Sequence, residues 1–198
     1  MATLKKTTRK KPVKHSISAQ ETVGVLGLGI MGSAISSNLL KAGFDVIGFD
    51  PNPVCQKRLA KAGGRVAKSA AELGKQATYI ISSLPSANAL IENAKAIASS
   101  GKKGLIVAEA STLDLDDKAA AKKILDAKGI ILLDCPLSGT GAQAKTKDLS
   151  IYSSGQSAAV KKMEHIFSGF AKANYNVGSF GNGMKLKLMA NLLVAIHN

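Results

Sequence analysis

Val23-Gly24-Val25-Leu26-Gly27-Leu28-Gly29-Ile30-Met31-Gly32 decides how the rest of the chain is read. An apolar run leads into it and a helical pattern leads out. Between Ser33 and Ala42 the apolar positions are Ile35, Leu39 and Leu40, and Gly43 is the stop signal. Phe44 to Phe49 is a short β-rich run ending in Asp50, 23 residues beyond Gly27. Strand, glycine turn, helix, strand and terminal carboxylate at these spacings make a βαβ unit suited to a dinucleotide. Gly27 permits a tight turn, Gly29 lets backbone approach a pyrophosphate, and Gly32 lets the helix pack closely on the strand. The helix start offers free N–H groups and a partial positive charge to the anion. Gly27, Leu28, Gly29, Ile30, Met31, Gly32 and Asp50 are therefore the expected cofactor contacts, with Asp50 on the ribose hydroxyls.

Downstream, apolar runs alternate with helical stretches. Helices are expected at Pro53–Ala62, Ser86–Ala98, Asp114–Lys128 and Gln156–Phe167. Strands are expected at Arg65–Ala67, Thr78–Ser82, Gly104–Ala108, Ile130–Leu133, Leu149–Ser153 and Asn174–Val177. The alternation predicts an α/β fold, a doubly wound, mostly parallel sheet of Rossmann type covered on both faces. Residues 21–180 form this expected NAD-binding domain. Residues 181–198 begin a long helix with apolar side chains from Leu186 to Ile196, a stripe too wide for one buried face.

Parallel sheets bind ligands beyond the C-terminal ends of their strands. Ser83-Leu84-Pro85, Ser111-Thr112 and Asp134-Cys135-Pro136-Leu137-Ser138-Gly139-Thr140-Gly141 are expected there beside the Gly27 loop. Ser138 to Gly141 offers hydroxyls and flexible N–H groups suited to a small carboxylate; a plain turn is the competing reading. Lys187 and Asn191 are four apart and share a helix face. Apolar neighbours there would desolvate the lysine and lower its pKa toward proton-transfer values, whereas a lone helical lysine is ordinarily a solvated one.

Composition narrows the classes. The chain has 198 residues, 45% hydrophobic and 20% charged, with a mean hydropathy of +0.09. No apolar run is long enough to span a bilayer, and no signal peptide is expected. Cys55 and Cys135 form neither a metal-ligand spacing nor a disulfide framework, so no metal is expected and a reducing, cytoplasmic compartment is. Residues 1–20 carry six basic side chains and no acid. Removing these six from the net charge of +14 leaves +8, a balance suited to anionic ligands. That tail is expected to be disordered and solvated, in preference to a nucleic-acid-binding arm.

Taken together, these motifs resemble the β-hydroxyacid dehydrogenases, which include 3-hydroxyisobutyrate dehydrogenase and are related to the 6-phosphogluconate dehydrogenases. Gly27-Leu28-Gly29-Ile30-Met31-Gly32, Asp134-Cys135-Pro136-Leu137-Ser138-Gly139 and Gly181-x-Gly183-x-x-x-Lys187-x-x-x-Asn191 carry the resemblance, over residues 22 to 198. It implies hydride transfer between a nicotinamide cofactor and a small 3-hydroxy acid or its oxo or semialdehyde partner. Lys187 would be the general acid or base, with Asn191 supporting it. Ser138, Gly139 and Thr140 would hold the substrate, and Leu84, Pro85 and Thr112 would contact the cofactor. Asp50 favours NAD, with NADP the alternative, because Pro51 stands where NADP users tend to carry an arginine. The resemblance further implies a homodimer at full length and a C-terminal all-α domain missing from these 198 residues, while the lack of a bilayer-length apolar run and the solvated reading of the tail set aside a membrane or nucleic-acid partner. Without that domain the chain is expected to bind NAD weakly and turn over poorly. A non-catalytic dinucleotide-binding scaffold and an imine reductase-like enzyme are the other readings.

Overall fold

The computed structural model describes residues 21–100 and 102–197, so the basic tail at 1–20 lies outside the described residues. β1 (Thr22–Leu26) runs into α1 (Ile30–Lys41), β2 (Asp45–Phe49), α2 (Pro53–Lys61), β3 (Arg65–Val66) and α3 (Ala70–Gln76). The chain then crosses to the other side of β1 and continues as β4 (Tyr79–Ser82), α4 (Ala87–Ala98), β5 (Ile106–Glu109), α5 (Leu115–Asp126) and β6 (Ile131–Asp134). The strand order is β3-β2-β1-β4-β5-β6, and every pair in this sheet is parallel. The direction of winding reverses between β1 and β4. That switch point is where a doubly wound sheet leaves a crevice for a ligand.

The apolar runs explain the layering. Successive side chains in a strand face opposite sides. Val23, Val25 and Ile81 therefore join Ile35 and Leu39 of α1 in one buried cluster. Ile80, Val107 and Leu132 join Leu73, Leu90 and Leu125 in a second cluster on the opposite face. Several helix starts are written locally: the Ser69 and Ser86 hydroxyls accept the Glu72 and Ala89 N–H groups, and the Asn52 side chain accepts that of Val54. Register aligns the strand ends, so that Leu26 lies beside Ser82, Ser82 beside Glu109, and Glu109 beside Asp134. Three polar residues thus meet at the carboxyl edge of neighbouring strands.

Beyond β6 the chain departs from the single sheet that the alternation suggests. β7 (Leu137–Ser138), α6 (Gly141–Lys145), β8 (Ser150–Ser153), α7 (Ser157–Phe170) and β9 (Ala173–Asn176) follow. β7 pairs antiparallel with β8, and β8 parallel with β9, in a separate three-stranded sheet. A single bridge, Asp134 to Ser154, joins it to β6. Apolar periodicity identifies Leu149–Ser153 and Asn174–Val177 as extended, but it does not encode which strand they pair with.

α8 (Asn182–His197) closes the described chain, and only Gly183 and Met184 of it are buried. Leu188, Met189, Leu192, Leu193, Val194 and Ile196 are each more than half exposed. Among the described residues no helix is long and apolar enough to cross a membrane.

Candidate dinucleotide and substrate site

The glycine turn is sterically determined. Gly27 has φ +84°, and a Cβ on it would lie 2.2 Å from the Ser83 carbonyl oxygen. A Cβ on Gly32 would lie 1.8 Å from the Gly27 carbonyl oxygen. Gly29 differs: a Cβ there would meet nothing within 4 Å. It caps α1 without a side-chain hydrogen bond, and no acid occupies the first turn. The positive end of α1 is therefore left without a carboxylate of its own.

The loop opens on a cleft of 730 Å³ at the switch point. Gly27, Gly29, Ile30, Met31, Leu84 and Pro85 line it, with Asp50 and Pro51 at the β2 end. The Asp50 carboxylate is held in place, one oxygen accepting the Leu28 N–H at 2.7 Å and the other the Asn52 N–H at 2.8 Å. Leu28 thus acts through its backbone, because its side chain is buried in the core. Phe49, Ser69, Glu92 and Asn93 also line the cleft, and motif reading passed over them. On α4 the small residues Ala89, Asn93 and Ala96 recur at helical spacing, a signal that could have marked this wall. The lining holds two carboxylates, Asp50 and Glu92, and no lysine, arginine or histidine. Arg58 instead turns to the Ser33 hydroxyl, 3.2 Å away, on the wall of a second cavity.

The other expected site residues lie outside the lining of that cleft. Thr112 is exposed, while its neighbour Ser111 is buried and accepts the Leu84 N–H at 2.7 Å. Ser138 ends β7, Gly139 has φ +136°, and Thr140 caps α6. The Thr140 N–H donates to the Gln143 side chain at 2.9 Å, and its hydroxyl accepts the Gln143 N–H at 3.3 Å. This capping box was not read from the sequence, although Thr140-x-x-Gln143 is its signature. Next in the chain, a Cβ on Gly141 would lie 2.6 Å from the Ile30 side chain. The Ser138–Gly141 segment therefore sits against the glycine-rich loop.

α8 is anchored at the end of β6. The Asp134 carboxylate accepts the Met184 N–H at 2.8 Å, and the Ser154 hydroxyl accepts the Gly183 N–H at 3.0 Å. A Cβ on Gly183 would fall 2.3 Å from the Tyr152 carbonyl oxygen, so the helix start is pressed against β8. One turn on, Lys187 is half-buried, and burial holds its ammonium below the ordinary lysine value. Lys185 and Asn191 are exposed. Among the described residues there is no group of three or more His, Cys, Asp or Glu that could hold a metal. Burial pushes the Cys135 thiol far up, which leaves it unreactive.

Sheet order, glycine turn and crevice together define an NAD(P)-binding domain of the doubly wound class. More narrowly, the chain belongs to the β-hydroxyacid dehydrogenase family: the family described as the NAD binding domain of 6-phosphogluconate dehydrogenase matches residues 22–181. L-threonate dehydrogenase of Cupriavidus necator is 31% identical over 179 residues, covering 88% of this chain and 60% of that protein. Mitochondrial 3-hydroxyisobutyrate dehydrogenase of Mus musculus is 29% identical, covering 95% of this chain and 59% of that protein. The structure of Mycobacterium tuberculosis 3-hydroxyisobutyrate dehydrogenase with L-serine superposes with a TM-score of 0.86 at 26% identity, covering 89% of this chain and 61% of that one. A Streptomyces aurantiacus imine reductase, 20% identical with a TM-score of 0.80, shares the fold. The chain spans about 60% of the length of the curated relatives it matches.

Proposed function

We propose that residues 21–180 are the NAD-binding domain, and 181–198 the start of an interdomain helix, of an NAD-dependent 3-hydroxyacid dehydrogenase. The observation that carries this reading is Lys187. It is a half-buried amine with a lowered pKa, one turn beyond a helix start anchored to the sheet edge that carries the cleft. NAD fits the cleft, because Gly29 leaves open space beside the uncapped start of α1 and Asp50 is fixed at the β2 end. When bound, NAD supplies the hydride-accepting ring.

The chain's own residues would do the rest. The neutral Lys187 amine takes the proton from the substrate hydroxyl during oxidation and returns it to the carbonyl oxygen during reduction. Asn191, on the same helix face, supports the substrate oxygen. Ser138, Gly139 and Thr140 hold the carboxylate. Leu84, Pro85 and Thr112 border the nicotinamide end. Two carboxylates and no cation in the lining favour NAD over NADP, since an added phosphate would be repelled. The free thiols Cys55 and Cys135 accord with a reducing, cytoplasmic setting. The imine reductase neighbours share the fold alone, and no feature of the site favours that chemistry or a scaffold.

A fluorescence titration tests the first half. NADH should bind about tenfold more tightly than NADPH. Asp50→Ser should weaken NADH about tenfold and erase the preference, as expected for losing charge-assisted hydrogen bonds. Oxidation of a panel of small 3-hydroxy acids, by the 198-residue chain and by a full-length version, tests the second half. Absence of NADH binding, or a preference for NADPH, would overturn the assignment.

A homodimer at full length belongs to this reading, and in the 198-residue chain the uncovered apolar face of α8 is itself a surface for self-association. The 198-residue chain should therefore self-associate as its concentration rises. Sedimentation velocity should show this, and Leu192→Glu with Leu193→Glu should abolish it. A parent chain that stays monomeric throughout would remove α8 as a self-association surface of this chain.

A further inference from the structure

Glu109, Lys118 and Asp134 are the only charged side chains with no exposure among the described residues. Lys118 projects from the first turn of α5, and its Nζ lies 2.8 Å from Glu109 Oε2 and 2.7 Å from Asp134 Oδ1. The two carboxylates end neighbouring strands in register. Burial alone would push the Lys118 ammonium down, but Glu109 and Asp134 outweigh it and hold it above the usual lysine value. Such a triad is poor stabilisation, since desolvation cancels most of the Coulomb gain and apolar replacements often serve as well. Burial pushes the Glu109 carboxyl up, against the pull of the Lys118 ammonium, so Asp134 carries the firmer negative charge of the pair. The N-terminus of α8 meets it through the Met184 N–H.

The outward contacts show what the triad joins. Glu109 Oε1 accepts the Ser111 N–H at 2.9 Å, and Ser111 Oγ accepts the N–H of Leu84 on the cleft wall at 2.7 Å. Asp134 Oδ2 accepts the Met184 N–H at 2.8 Å and the Ser154 hydroxyl at 3.1 Å, and Ser154 Oγ accepts the Gly183 N–H at 3.0 Å. An unbroken polar chain thus runs from Leu84, beyond the end of β4, through Lys118 to the start of α8.

We propose that Lys118 is a positioning residue: by gripping Glu109 and Asp134 together it fixes the Leu84 wall of the dinucleotide cleft relative to the helix that carries Lys187. The consequence for catalysis rests on Lys187 being the reacting amine. The mechanical link from Leu84 to α8 does not.

Amide hydrogen exchange on the 198-residue chain tests the link directly. In Lys118→Met the Leu84, Gly183 and Met184 amides should exchange about tenfold faster relative to Val25 in β1. Ser111→Ala should accelerate Leu84 alone, and Ser154→Ala should accelerate Gly183 alone. The double variant Glu109→Gln/Lys118→Met removes one charge of each sign, and it should loosen both ends if the single variant does not fold. Parent-like exchange at Leu84 and Met184 overturns the proposal. So does a uniform rise across the sheet, or failure of both variants to fold, because each describes a merely structural residue. In a catalytically competent full-length protein, Lys118→Met should lower kcat about tenfold and also raise the KM for NAD, since the Leu84 wall is loosened with α8. A parent that turns over no hydroxy acid would sink the dehydrogenase reading while leaving the exchange experiment able to decide this one.

Discussion

On the proposed dehydrogenase function, Lys187→Ala in a full-length version will lower turnover of a 3-hydroxy acid about 10²- to 10⁴-fold, the range for losing a positioned general acid or base. NADH affinity should stay within about twofold, because Lys187 does not line the dinucleotide cleft. The pH dependence supplies the sign. Burial lowers the pKa of Lys187, so the neutral amine becomes abundant at a lower pH than for a solvated lysine. Oxidation needs that neutral form, so its rate should rise with pH and level off below the ordinary lysine value of 10.5. Reduction needs the ammonium, so its rate should fall as pH rises through the same lowered range, below that of a solvated lysine. Lys187→Arg should remove this limb from both profiles, since arginine stays protonated across the accessible range. A Lys187→Ala enzyme as active as its parent would take Lys187 out of the mechanism.

Gly32→Ala should be the most damaging added methyl group among the described glycines. Its Cβ would lie 1.8 Å from the Gly27 carbonyl oxygen, a backbone atom that no side-chain rotation can clear. The strand–helix turn would have to open, at a cost of about 3 kcal/mol in stability by the measure of other overpacked sites. Dinucleotide binding should vanish with it. Gly29→Ala is the control. Gly29 has φ −64°, within reach of alanine, and its Cβ would meet nothing within 4 Å. Thermal unfolding should be unchanged there while NADH affinity falls about tenfold or more, because the methyl would occupy the space a pyrophosphate needs. Equal loss of binding and stability in both variants would mean that Gly29 serves the fold instead of the ligand.

Much of the nucleotide half was legible residue by residue. The expected helix at Ser86–Ala98 is α4 with Ser86 as its cap, and the expected strand at Thr78–Ser82 is β4. Local signals sufficed there, because a cap or an apolar run is read within a few residues of itself. The second sheet was not legible, for pairing of β8 with β7 and β9 is a contact between distant segments. Lys118 was invisible for a related reason. In the sequence it is one lysine of a charged helix, Leu115-Asp116-Asp117-Lys118. Only the register of β5 with β6 brings Glu109 and Asp134 onto its ammonium.

Local signals along the chain carry the glycine turn with Asp50 at the end of β2, the α/β alternation, and the helical spacing that puts Lys187 and Asn191 on one face of α8. These depend on backbone sterics and helical spacing, which act over short stretches of chain. The tertiary structure decided which cleft wall faces Asp50, that Leu28 turns its side chain inward, and that α8 is tied to Asp134 through its first turn. Those outcomes depend on strands meeting across the sheet and on which groups lose water when they meet, and neither is written at any one position.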